Sequence, residues 1–112
     1  MLILGSTLRK LEAVLSGAIT TSQPEVAVTF TDIRADGARG MQTYLVALNS
    51  TTPVTICPAP NSGITRIVDT INVYNKDTAS ITVQINYDES GTDYILCKRT
   101  LATLETLTYE DE

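Results

Sequence analysis

The sequence contains no histidine and no tryptophan, one phenylalanine, four prolines and two cysteines. Each shortage removes a class of function. Without histidine the chain lacks the side chain that most often serves as general base and as zinc ligand. No serine or cysteine can be completed into a histidine-dependent nucleophilic site. The cysteines, Cys57 and Cys97, stand forty positions apart, a spacing that matches neither a zinc site nor a redox pair. Each lies in an apolar run and reads as a small buried hydrophobe, with a disulfide between paired strands as the alternative. No glycine-rich phosphate loop is present. No apolar run approaches the length of a membrane span. The basic pair Arg9-Lys10 follows the apolar opening instead of preceding it, so a secretory leader is not expected.

What the chain does have is β-branched residues. Threonine, isoleucine and valine number 18, 10 and 8 among 112 residues. Such side chains suit a pleated, half-buried surface. The length predicts one domain with one core. Ile81, Val83, Ile85 and Tyr87 alternate with Thr82, Gln84 and Asn86, which predicts a strand with one dry face and one wet face. Residues 64–74 are apolar on both sides and read as a central strand, paired in a hairpin with 81–87 across the polar turn 75–80. Further strands are predicted at 25–30, 43–48, 53–57, 94–98 and 106–109. Residues 10–18 show both helical and alternating spacing and are assigned to a strand, because an isolated helix this short gains little by itself. Leu101 to Glu105 remain ambiguous. The expected fold is a single all-β sandwich of jelly-roll type, with about seven or eight antiparallel strands and an extended N-terminal arm. The divisions are an arm at 1–9, the sandwich at 10–109 and an acidic tail at 110–112.

Net charge is −5, and Glu105, Glu110, Asp111 and Glu112 supply four of those charges without a compensating base. Phosphate backbones are repelled by such a tail, so nucleic acid is not an expected partner, and neither is a membrane. The segment 88–93 places Asp88, Glu89 and Asp93 around Gly91. Calcium takes oxygen ligands from such loops, but the spacing fits no EF-hand and a plain hairpin turn is the expected reading. No cofactor, metal or catalytic residue is expected. The candidates are contact residues. Leu2, Ile3, Leu4 and Leu8 make an apolar opening segment that either completes its own sheet or docks on a neighbouring subunit. Arg34 and Arg39 sit in the charged, glycine-bearing segment 32–40, expected to be an exposed loop available for polar contacts.

Several stretches together resemble a family of small tailed-bacteriophage proteins. Lys10-Leu11-Glu12-Ala13-Val14-Leu15-Ser16-Gly17-Ala18-Ile19-Thr20-Thr21 is similar to its opening, and Asp32-Ile33 to the end of its next strand. Thr52 to Pro60, Val73-Tyr74-Asn75-Lys76-Asp77-Thr78-Ala79-Ser80-Ile81-Thr82-Val83 and Gly91 to Leu101 match its later stretches in order, so that the likeness covers roughly residues 8–109. One departure is Thr103-Leu104, where relatives often carry Pro-Gly. The resemblance implies a virion structural protein with no activity. The expected role is capsid decoration, a cement subunit binding the major capsid protein and copies of itself, in a particle assembled in the bacterial cytoplasm. A collar, neck or tail-fibre subunit is the alternative within that class. A receptor- or glycan-binding module on the tail is the alternative outside it, weakened by the scarcity of aromatic side chains.

Overall fold

The β-branched segments form nine strands in the computed structural model, which describes residues 1–110. They are β1 (Leu2–Leu4), β2 (Arg9–Leu15), β3 (Glu25–Arg34), β4 (Arg39–Ala47), β5 (Val54–Cys57), β6 (Ile64–Tyr74), β7 (Ile81–Glu89), β8 (Thr92–Leu101) and β9 (Thr106–Glu110). All strand pairs are antiparallel. One sheet runs β4-β3-β6, and the far edge of β6 is shared end to end by β1 and β9. The other runs β5-β2-β7-β8. The sheets stack into a sandwich whose core is built from alternate residues of each. Leu11, Ala13 and Leu15 of β2 and Val83 and Ile85 of β7 face Val26, Val28 and Phe30 of β3 and Val68, Ile71 and Val73 of β6. Burying each of the larger side chains contributes roughly 1.5–3 kcal/mol.

The alternation in β6 slips once, and the structure accommodates it with a bulge. Thr70 lies opposite Thr29 while Val68 lies opposite Phe30, leaving Asp69 as the extra residue. Because strand side chains alternate faces, this one insertion keeps both Val68 and Ile71 in the core. Asp69 turns its carboxylate to the Thr31 hydroxyl at 2.7 Å.

Two expectations need correction. Strands 64–74 and 81–87 do not form a hairpin: β6 belongs to one sheet and β7 to the other. Both carry an inward apolar face, so packing them face to face buries more than pairing them edge to edge. The segment 32–40 is mostly strand, with only residues 35–38 turning. Of its charges only Asp36 lies in the turn; Asp32, Arg34 and Arg39 lie on the paired strands, where Asp32 meets Arg66 of β6 and Ile33 lies opposite Arg39. The cysteines are free. Cys57 on β5 and Cys97 on β8 occupy opposite edges of one sheet, about 14 Å apart at ordinary strand spacing, so no disulfide can span them. Of the acidic tail, Glu110 is the last residue of β9, and residues 111 and 112 lie outside the described residues.

A polar knot replaces the missing hairpin turn. Asn75 is fully buried, and its amide nitrogen donates to the carbonyls of Ala79, Leu101 and Ala102 at 3.0–3.1 Å. Its side-chain oxygen accepts from the Asp77 amide at 2.9 Å. Its main chain exchanges bonds with Glu105 and Leu104. Asp77, also buried, accepts from the amides of Thr20, Thr21, Ser22 and Thr78 at 2.8–3.2 Å and from the Thr21 hydroxyl. Its carbonyl accepts from the Thr103 hydroxyl. Two side chains thus join the β6–β7 crossover, the β2–β3 crossover and the β8–β9 turn. The Thr20 amide, with those of Thr21, Ser22 and Thr78, outweighs burial and holds the Asp77 carboxyl well below the usual carboxylate range.

Replacing Asn75 with Ala strands three carbonyls and one amide in the interior. Urea unfolding should show a loss of about 2–4 kcal/mol, and a change too small to measure would contradict the knot. In the same knot Leu104 holds φ at +64° with its side chain in solvent. This is the left-handed region that favours glycine. Leu104→Gly should therefore stabilise the fold by roughly 0.5–1 kcal/mol, and a lower midpoint in urea would contradict that reading.

Candidate assembly surface

The sequence candidates separate into buried and exposed residues. The opening segment completes its own sheet. Leu2, Ile3 and Leu4 lie opposite Val68, Ile67 and Arg66. Leu4 is fully buried and Leu2 packs against the core, so neither is presented to a neighbour. The Tyr87 hydroxyl of the opposite sheet donates to the Ile3 carbonyl at 2.7 Å and fastens β1 across the sandwich. Ile3 and Leu8 remain exposed. Arg34 and Arg39 flank the β3–β4 turn, both exposed, and line a shallow polar hollow with Asp32, Gln42 and Ile64. Neither guanidinium forms a salt bridge among the described residues. The half-buried arginine is Arg66: it grips Asp32 through two bonds of 2.8 and 3.1 Å, donates to the Pro58 carbonyl and lies 4.0 Å over the Phe30 ring. It closes the end of the core beside Cys57, whose thiol burial pushes up to about 11.

The three carboxylates of the 88–93 turn do not stay together, because Glu89 points away from the other two. Ser90 and Gly91 have φ of 54° and 92°, the backbone of a tight two-residue hairpin. Asp88 accepts from the Gly91 amide at 2.9 Å, and Glu89 turns away to Arg9 at 2.9 Å. What does gather is a cluster that the spacing hides. Glu12 of β2 joins Asp88 and Asp93, their carboxylate oxygens all within 4.8 Å. Asp88 and Asp93 are directly opposite across β7 and β8. Among the described residues Lys10 is the one cation paired with them, at 4.0 Å from Glu12 and 3.8 Å from Asp88. Burial pushes the Glu12 carboxyl up, Asp88 and Asp93 add to the shift, and Lys10 offsets part of it. The sole clue in the sequence is that Lys10 and Glu12 alternate with the inward Leu11 and Ala13.

The remaining features are the sheet margins. β4 and β8 are long edge strands, of nine and ten residues, and most of their side chains are exposed. β8 displays Tyr94, Ile95 and Leu96 but is blunted by a bulge at Leu96 and by Asp93, Lys98 and Arg99. Bulges and charges are devices that keep an edge from pairing. β4 has neither. After Arg39 it is uncharged, contains no proline and keeps an unbroken register with β3. Its outward residues Met41 and Leu45 are 69% and 72% exposed. Beside them Ala27, Ala47, Asn72 and Tyr74 line an open, mostly apolar concavity of about 500 Å³. Among the described residues this margin joins an exposed, mostly uncharged edge strand to an apolar face.

Comparison with protein-family profiles, with curated proteins and with solved structures finds no match in any of the three.

The Glu12 cluster makes a prediction with a definite sign. A carboxyl whose folded pKa is raised favours the protonated form in the folded state. Its ionisation therefore costs stability as pH rises from the unfolded value, about 4.3, through the folded one. Glu12→Gln should raise stability at pH 7 by roughly 0.2–1 kcal/mol and lose that advantage below pH of about 4. Urea unfolding at both pH values checks this, and a variant less stable at pH 7 would show that the Lys10 contact dominates.

Proposed function

We propose that the chain is a structural subunit of a tailed-phage particle, a decoration protein that binds the shell and neighbouring copies and performs no chemistry. The observation that carries this reading is the undefended β4 margin with its adjoining apolar face. An exposed neutral edge strand is an aggregation hazard in a protein meant to remain alone, and a binding element in one meant to assemble. The ordered likeness of residues 8–109 to small phage proteins supports the same role. So does the use of the chain's best-organised polar groups: Asn75, Asp77, Arg66 and Asp32 are engaged in joining strands and loops.

Decoration works through number. Each copy adds a modest contact between shell subunits, and many copies held on one lattice act together, so individually weak interfaces yield a durable shell. The exposed Arg34 and Arg39 at the β3–β4 tip supply polar contacts at the end of the same margin. Leu8 and Ile3 offer smaller apolar contacts on the other side of the sheet.

Purified protein should co-sediment with empty capsids of its phage and raise the temperature at which they open. Binding to a neck or tail complex, with no binding to shells, would move the protein to the collar or tail. Retention on a host-cell surface or glycan by the isolated chain, with no affinity for any virion part, would contradict the structural role.

A further inference from the structure

We propose that β4 pairs with β4 of a second copy of this chain, antiparallel, about a two-fold axis through Thr43, so that two β4-containing sheets become one. The inference deepens the assembly role above by naming the partner for this margin.

The geometry begins with the two-fold. Two copies of one edge strand pair antiparallel only about an axis perpendicular to the sheet, which makes the outer face of one copy continuous with the outer face of the other. Thr43 is the midpoint of Arg39–Ala47. With the axis there, all nine residues have a partner. Met41 lies opposite Leu45 of the partner subunit, and Leu45 opposite Met41 of the partner subunit. The two most exposed apolar side chains of the strand are thus matched twice over, with Thr43 against itself between them. On the inward face Gln42 lies opposite Tyr44 and Gly40 opposite Val46. Moving the axis by one residue separates Met41 from Leu45 and leaves strand residues unpaired.

Charge agrees with this register. The chain carries −5, which opposes association of identical copies, yet β4 beyond Arg39 is neutral. Its one charge comes within reach of an acid that also holds Lys76 at 3.6 Å. Arg39 lies opposite Ala47 of the partner subunit, and Ala47 pairs with Glu25 on β3. Two strand spacings, about 10 Å, separate the backbones of Arg39 and that glutamate on the same face, a distance the two long side chains can close. The pair forms twice by symmetry. The apolar concavity bordered by Ala27, Leu45, Ala47 and Tyr74 adjoins the joint, and Met41 of the partner subunit extends its wall. The contrast with β8 is the remaining argument: of the two long edges, one carries blocking devices and the other carries none.

Cysteine cross-linking reads the register directly. In a Cys97→Ser background, Thr43→Cys should form a disulfide-linked dimer on mild oxidation, because facing residues of an antiparallel pair have Cα atoms about 4.5–5.5 Å apart. Met41→Cys and Leu45→Cys should each fail to cross-link alone and should cross-link when mixed. Leu45→Lys should leave the circular dichroism spectrum unchanged and shift sedimentation from dimer to monomer. A wild-type chain that sediments as a monomer at about 100 µM, where any dimer of micromolar Kd is populated, overturns the proposal. So does Thr43→Cys cross-linking no better than Met41→Cys. A monomer that still binds shells would sink the dimer and leave decoration standing. A cross-linked dimer that ignores shells would do the reverse.

Discussion

The sandwich depends on how its chain passes between sheets without a hairpin. Three connections meet at one end, and the buried pair Asn75 and Asp77 ties all three. An asparagine presents donors and an acceptor at fixed angles, and an aspartate presents only acceptors. Here the asparagine amide serves the β8–β9 turn, while the carboxylate gathers a row of amides from the β2–β3 crossover. Neither residue could take the other's place. Because the donors around Asp77 are mostly main-chain amides, the carboxylate organises backbone, and its charge is stabilised without a cation. Both sheets depend on it, since the crossovers that it fixes decide which strands enter which sheet.

Much of the secondary structure was legible in the sequence, and its pairing was not. The alternation from Ile81 to Tyr87 reads directly as β7. Leu11, Ala13 and Leu15 resolve the ambiguous opening as β2 because each is buried in turn. Periodicity identifies a strand but not its neighbour, which is why β6 was expected beside β7. The polar run 75–80 resembles an ordinary turn, since asparagine, aspartate and threonine favour turns wherever they occur. Its role emerges only when loops distant in sequence arrive around it. The acidic cluster was hidden for the same reason, Glu12 being 76 positions from Asp88. The exposure of β4 is likewise set by topology: Met41 and Leu45 are apolar, yet they face water on an edge strand.

The candidate surface follows from what the core leaves over. Leu2 and Leu4, read from sequence as either completing the sheet or docking on a neighbour, close the chain's own sheet. The apolar side chains that remain outside concentrate on two margins, of which one is defended. A strand of nine residues without charge beyond its first, without bulge and without proline offers main-chain bonds to a matching strand. In the proposed pairing of two copies, Glu105 and Glu110 beside β9 lie on the far side of the sheet from β4, away from the joint.

The fold depends most heavily on the ionised Asp77 carboxylate at the centre of the knot. Its folded pKa lies below the unfolded value, about 3.9, so the stabilisation is complete above that pH and disappears as pH falls towards the folded pKa. Heteronuclear NMR through an acid titration observes this group directly. The side-chain carbon of Asp77 should stay ionised while the exposed carboxylates protonate, and the amides of Thr20, Thr21, Ser22 and Thr78 should remain protected from exchange until it titrates. Protonation of Asp77 together with the exposed carboxylates, with those amides exchanging freely while both sheets stay intact, would contradict the account.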